Sequence, residues 1–80
     1  MDIHHLAYMA NQIGWFYAGY PKEQAVDSIA THIRKFWDPR MRSQIEAYLS
    51  EGGELLEANV REAIGHLKAP AKAGNGKLSE

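Results

Sequence analysis

The chain contains no cysteine, so it can form no disulfide and offers no thiolate to a zinc ion or an iron–sulfur cluster. No apolar run approaches the roughly 18 residues that a membrane-spanning helix requires. No charged leader followed by a long apolar stretch opens the sequence. We therefore expect a cytoplasmic protein that makes no membrane contact and carries no cofactor of its own.

The chain is also short and nearly neutral, with 80 residues and a formal net charge of -1. A domain of this size buries about 60% of the surface that its unfolded chain exposes, so its stability is marginal. With disulfides excluded, a compact helical core or a partner protein is the expected source of stability. The charge gives no general attraction to nucleic acid or to anionic lipid.

Apolar residues recur at helical spacing throughout, and no alternating strand pattern is present. The fold class predicted is all-α, a small bundle of about four short helices in a domain over residues 1–68. We expect the helices at about Ile3–Tyr17, Pro21–Trp37, Pro39–Glu51 and Glu54–Lys68. Residues 69–80 are small, polar and interrupted by Pro70, Gly74 and Gly76, which predicts a disordered C-terminal tail.

Each predicted helix has one apolar face that should point into the core. The inward residues expected are Ile3, Leu6, Met9, Ala10, Ile13, Phe16 and Tyr17; Ala25, Val26, Ile29, Ala30, Ile33, Phe36 and Trp37; Met41, Ile45, Tyr48 and Leu49; and Leu56, Val60, Ala63, Ile64 and Leu67. Asp38 before Pro39 is typical of a helix start, and Gly52-Gly53 is typical of a helix end.

A basic corner, defined by Arg34, Lys35, Arg40 and Arg42, surrounds Trp37 at the predicted turn between the second and third helices. A helix connector does not need this composition, which favours a protein surface that binds carboxylates through arginine. The alternative is a solvated surface, with Trp37 in the core because it lies within the apolar arc of its helix. The slightly acidic chain and the paucity of base-reading side chains argue against nucleic acid.

The first helix has a second stripe, formed by Tyr8 and Trp15 seven residues apart, with His4 and Asn11 on the same side. Such a helix is either central in its own bundle or offers one side to a partner. We favour the partner, because Tyr and Trp are enriched at interface hot spots. The candidate partner interface is therefore Tyr8, Trp15, Arg34, Trp37, Arg40 and Arg42.

No catalytic or metal-binding motif is recognisable. The four histidines lack a second ligand at suitable spacing, and structural or solvated roles fit them better. The serines and Thr31 lack the setting of a nucleophile, and no glycine-rich phosphate loop is present. We predict neither catalytic, cofactor-binding nor metal-binding residues in this chain.

Three strings in order carry a family resemblance: MANQIG at 9–14, HIRKFWDPRMR at 32–42 and YLSEGG at 48–53. On these, over about residues 5–67, the chain resembles the delta subunit of NAD-dependent formate dehydrogenase, the molybdenum- or tungsten-containing complex. The resemblance implies a non-catalytic accessory subunit. Such a subunit docks on the catalytic and electron-transfer subunits and stabilises the quaternary structure of the complex that oxidises formate to carbon dioxide.

The same resemblance places the cofactors in partner subunits: bis-molybdopterin guanine dinucleotide, iron–sulfur clusters, FMN and NAD. The large molybdenum or tungsten subunit is the partner it favours. A transient assembly factor that assists cofactor insertion or subunit joining stays open as the alternative function, since both roles need an exposed docking surface.

Overall fold

Four α-helices make up the computed structural model, which describes residues 2–68. They are α1 (Ile3–Phe16), α2 (Lys22–Phe36), α3 (Pro39–Ser50) and α4 (Ala58–Lys68). This part of the chain contains no β-strand, and the all-α prediction is confirmed. The predicted tail at 69–80 lies outside the described residues.

The start of α3 follows the chemistry of its first two residues. The Asp38 carboxylate accepts a hydrogen bond from the backbone N–H of Met41 at 2.8 Å, and Pro39 begins the helix. A carboxylate in this position satisfies one of the free N–H groups of the first turn. Pro21 has a comparable place before α2, where it is the cap residue and Lys22 is the first helical residue.

The fourth helix begins at Ala58, four residues later than the predicted Glu54. Gly52 and Gly53 have φ angles of 128° and 57°, which end α3 in backbone conformations that residues with a side chain rarely adopt. Residues 54–57 then form a turn instead of helix. This turn lets Leu56 enter the core, where it is buried.

The core lies where α1 packs against all three other helices. The largest fully buried side chains are Leu6, Ile29, Ile33, Ile45, Val60 and Ile64. Helices α1 and α4 approach closely at Gly14, where a Cβ atom would lie 2.6 Å from Cγ2 of Val60. Because Gly14 has no side chain, Val60 occupies that space.

Phe16 and Phe36 are corrections to the predicted core, because 74% and 70% of their surfaces are exposed. Each is the last residue of its helix, so no further helical turn follows it. The buried side of α1 is displaced toward Ala7, Asn11 and Gly14. Contact with α4 at Gly14 explains this displacement, because it turns the side of α1 that carries Phe16 toward solvent.

Candidate docking surface

Tyr8 and Trp15 form a partly exposed aromatic pair on α1. Their ring centroids are 5.8 Å apart in an edge-to-face arrangement with an interplanar angle of 73°. About half of each side chain is exposed, 52% for Tyr8 and 49% for Trp15. Full internal packing, the alternative that the sequence left open, does not occur, so both rings present apolar surface outside the bundle.

The Trp15 ring is also held from the turn before α4. Its indole Nε1 donates a hydrogen bond to Oε2 of Glu57 at 3.2 Å. Together with the edge contact from Tyr8, this bond fixes the orientation of the indole. A side chain that is ordered before binding loses less conformational entropy when a partner covers it.

Asn11 links α1 to the same turn. Its Nδ2 donates to the carbonyl oxygen of Leu55 at 2.8 Å, and its Oδ1 accepts from the backbone N–H of Glu57 at 2.9 Å. We call this pair of bonds the Asn11 clamp. Asn11 is 8% exposed and was expected beside Tyr8 on the outer stripe. Its position in the sequence gave no sign of this buried role, because the partner groups belong to the backbone more than 40 residues away.

The residues of the basic corner have different surroundings. Arg34 is half-buried, and its Nη2 donates to the carbonyl oxygen of His66 at 2.9 Å in the last turn of α4. Trp37 is 6% exposed and packs in the core. Arg34 and Trp37 therefore tie α2 to the rest of the bundle and offer little free surface.

Arg40 and Arg42 remain in the first turn of α3. Arg40 is exposed, and Arg42 is half-buried. Among residues 2–68, neither takes part in an ion pair, and the Nε of Arg42 has no hydrogen-bond partner. Cations at a helix N-terminus face the positive end of the helix dipole, so these two arginines do not stabilise α3.

The structure keeps the two candidate surfaces separate. Within the described residues, no hydrogen bond, ion pair or ring contact joins Tyr8 or Trp15 to Arg40 or Arg42. The pair lies against the turn before α4, whereas the arginines lie at the start of α3. Whether each contacts a partner stays a prediction.

The family of the chain can be decided by comparison with known proteins. The model of the NADH-dependent formate dehydrogenase delta subunit family, FdsD, matches residues 5–64, three quarters of the sequence. The chain belongs to this family. The resemblance predicted from the three strings is thereby confirmed. No curated protein and no solved structure gives a match.

In this member of the delta subunit family, the matched span contains every candidate interface residue and the Asn11 clamp. Within residues 2–68, no group of three or more His, Asp or Glu side chains is arranged to hold a metal ion. In the same part of the chain, no helix is long and apolar enough to cross a membrane. A hollow of about 680 Å³ is open and lies between α2 and α4 beside Glu23, Asp27 and Glu62.

A third surface of the delta subunit was missed by sequence reasoning. We call it the aromatic groove: its hollow is lined by Met9, Gln12, Ile13, Phe16, His32 and Trp37, and Phe36 lies beside it against His32. Its hollow of about 410 Å³ lies between α1 and α2. His32 lines this hollow and the adjoining one, and its ring centroid lies 4.7 Å from that of Phe36. The sequence signal was two phenylalanines at predicted helix ends, which were assigned to the core on periodicity alone.

Proposed function

We propose that this chain is a non-catalytic accessory subunit of NAD-dependent formate dehydrogenase. It docks on the catalytic and electron-transfer subunits and stabilises the quaternary structure of the complex. The large molybdenum or tungsten subunit is the expected partner, and the cytoplasm is the expected location. Family membership supports association with this complex. The observation that carries the docking surface is the half-exposed, hydrogen-bonded Tyr8–Trp15 pair.

The pair has the properties of an interface anchor. Aromatic side chains that become fully desolvated dominate the binding energy of many interfaces, at about 2 kcal/mol or more for a hot-spot residue. Trp15 already has its ring direction set by Tyr8 and Glu57. Docking would therefore bury the exposed half of the indole at a small cost in side-chain entropy.

Arg40 and Arg42 are proposed to bind carboxylates of the partner. Their position in the first turn of α3 does not stabilise the helix, and no acidic side chain of residues 2–68 pairs with them. A guanidinium group binds a carboxylate through two parallel hydrogen bonds, which fixes orientation as well as adding affinity. We therefore propose that these two arginines fix the orientation in which the subunit docks.

The chemistry of formate oxidation is proposed to lie in other subunits. Electron transfer there requires clusters held by cysteine thiolates, and this chain contains no cysteine. We place bis-molybdopterin guanine dinucleotide, the iron–sulfur clusters, FMN and NAD in the partner subunits. Loss of the delta subunit should then lower the amount of assembled enzyme and leave the activity of each assembled molecule unchanged.

The test is co-purification of the tagged chain with formate dehydrogenase from its native cells. We expect Trp15→Ala, and separately the double change Arg40→Ala/Arg42→Ala, each to lower recovery of the partner subunits at least about tenfold. Tyr20→Ala is the matched control for the aromatic change, since Tyr20 is similarly exposed and lies beside Tyr17. Lys22→Ala is the control for the charge changes, because Lys22 forms an exposed pair with Glu62.

Two outcomes would count against the proposal. If the variants lose helical circular dichroism while binding per folded molecule is unchanged, the residues are structural and the docking assignment is wrong. If the chain is recovered with cofactor-free catalytic subunit alone, it is an assembly factor. A resident subunit predicts a fixed ratio to enzyme that reduces NAD with formate.

A further inference from the structure

The two phenylalanines of the aromatic groove are more exposed than Tyr8 and Trp15. Phe16 lines the hollow of this groove, and Phe36 lines the adjoining hollow, with His32 common to both. These two phenylalanines are the most exposed large apolar side chains of the described part. Met9, Gln12 and Ile13 line the hollow from α1, and the largely buried Trp37 lines it directly after α2. Exposed aromatic and methionine side chains around a concavity are typical of a protein-binding surface.

The charges around the groove have one sign. Helix α1, which forms one wall, contains no carboxylate. The last turns of α2 and Trp37 form the other wall, and residues 30–37 contain no carboxylate. Of their two cations, Arg34 is bound to the carbonyl oxygen of His66, which leaves Lys35. Lys35 is exposed and lines the hollow adjoining Phe36.

Two carboxylates lie nearby and do not cancel this charge. Asp38 follows the groove but is already bound to the backbone N–H of Met41. Asp27 lines the far part of the adjoining hollow, more than two helical turns before Phe36. With Arg40 exposed just after Trp37, the groove therefore has a basic end.

On the basis of the proposed function, we infer that the aromatic groove receives an apolar ridge bordered by carboxylates on another subunit of formate dehydrogenase. The ridge would place an apolar side chain between Phe16 and Phe36, with its acidic neighbours against Lys35. Complementary charge at the edge of an apolar contact sets orientation and suppresses wrong partners. The chain would then contact the complex through the Tyr8–Trp15 pair and, separately, through the aromatic groove with Arg40 at its basic end.

A second copy of this chain is a poorer occupant. Two grooves that faced each other across a two-fold axis would bring the same cations together, because a two-fold interface uses the same patch on both chains. Like charges in such a contact are unfavourable. The charge pattern therefore favours a different protein over self-association.

The test begins with Phe36→Ser and Lys35→Glu in the full chain, assembled with formate dehydrogenase. We expect each change to weaken retention by the complex at least about tenfold, and the Lys35 effect to shrink at high salt. Phe36 and Lys35 are exposed, so neither change removes a core contact. Lys22→Glu at the opposite end of α2 is the matched control and should alter retention less than about twofold.

Photo-crosslinking identifies the occupant. With p-benzoylphenylalanine in place of Phe16, the crosslinked peptide should come from a formate dehydrogenase subunit and contain apolar residues within a few positions of Asp or Glu. A crosslink between two copies of the chain, or to a segment without carboxylates, overturns the inference. The inference is also overturned if the complex retains Phe36→Ser as well as wild type but does not retain Trp15→Ala. That outcome leaves the proposed function standing. If the wild-type chain is not retained at all, both fail together.

Discussion

Replacing Asn11 by alanine should destabilise the fold more than any exposed change on α1. Asn11→Ala removes both bonds of the Asn11 clamp, to the carbonyl of Leu55 and the N–H of Glu57. Each hydrogen bond contributes about 1 kcal/mol, and a polar group left buried without a partner costs about 1–3 kcal/mol. Because the two backbone groups are partly accessible after the change, we expect a loss of about 2–3 kcal/mol.

That loss is large for so small a domain. A chain of this length has a free energy of unfolding of about 4–12 kcal/mol, at the usual contribution per residue. One kcal/mol lowers the melting temperature of such a domain by about 4–8 °C. The melting temperature of Asn11→Ala should therefore fall by about 8–24 °C.

The assay is thermal and urea unfolding of the full chain, followed by circular dichroism at 222 nm. Gln12→Ala is the matched control, since Gln12 is the exposed neighbour on the same helix. Asn11→Asp gives a second reading: its carboxylate can still accept from the N–H of Glu57 but cannot donate to Leu55. It should retain part of the stability. A shift for Asn11→Ala no larger than that for Gln12→Ala would refute the reasoning.

Two further predictions concern the packing and the capping of helices. Gly14→Ala should destabilise the fold by about 1–3 kcal/mol, because its Cβ would lie 2.6 Å from Val60. Gly65 lies in open space on α4, so Gly65→Ala should stabilise the fold by about 0.5–1 kcal/mol. Equal melting temperatures for these two variants would contradict the packing argument. Asp38→Ala should cost about 1 kcal/mol by removing the bond to Met41, and Asp38→Asn should restore most of it. Urea midpoints of the three chains check this, and no difference between alanine and wild type would show that the cap is dispensable.

Periodicity and capping chemistry predicted the fold closely. The four helices lie within a few residues of their expected bounds, because Pro21, the Asp38-Pro39 pair and the Gly52-Gly53 pair act on the local backbone. The start of α4 differs because the turn at 54–57 is fixed by groups far along the chain. The Asn11 clamp and the hydroxyl of Tyr48, which accepts from the N–H of Leu55 at 3.0 Å, satisfy backbone groups that a helix would otherwise bond.

The surface was harder to predict than the fold. Tyr8 and Trp15 could be placed outside the apolar face from their spacing, because both lie on one helix. The exposure of Phe16 and Phe36 could not, since it depends on which side of α1 the other helices cover. Arg34 shows the same limit: its bond to the carbonyl of His66 depends on the packing of α2 against α4.

The bond between Trp15 and Glu57 has a thermodynamic consequence. Glu57 belongs to the turn whose backbone Asn11 holds, so the indole is ordered when that turn is closed. Binding and local closure are linked equilibria. A partner that binds the indole only when it is ordered therefore also stabilises the closed turn. The amide hydrogens of residues 55 and 57 thus report occupancy of the Tyr8–Trp15 pair through slower exchange with solvent, although they lie on a different segment from the aromatic rings.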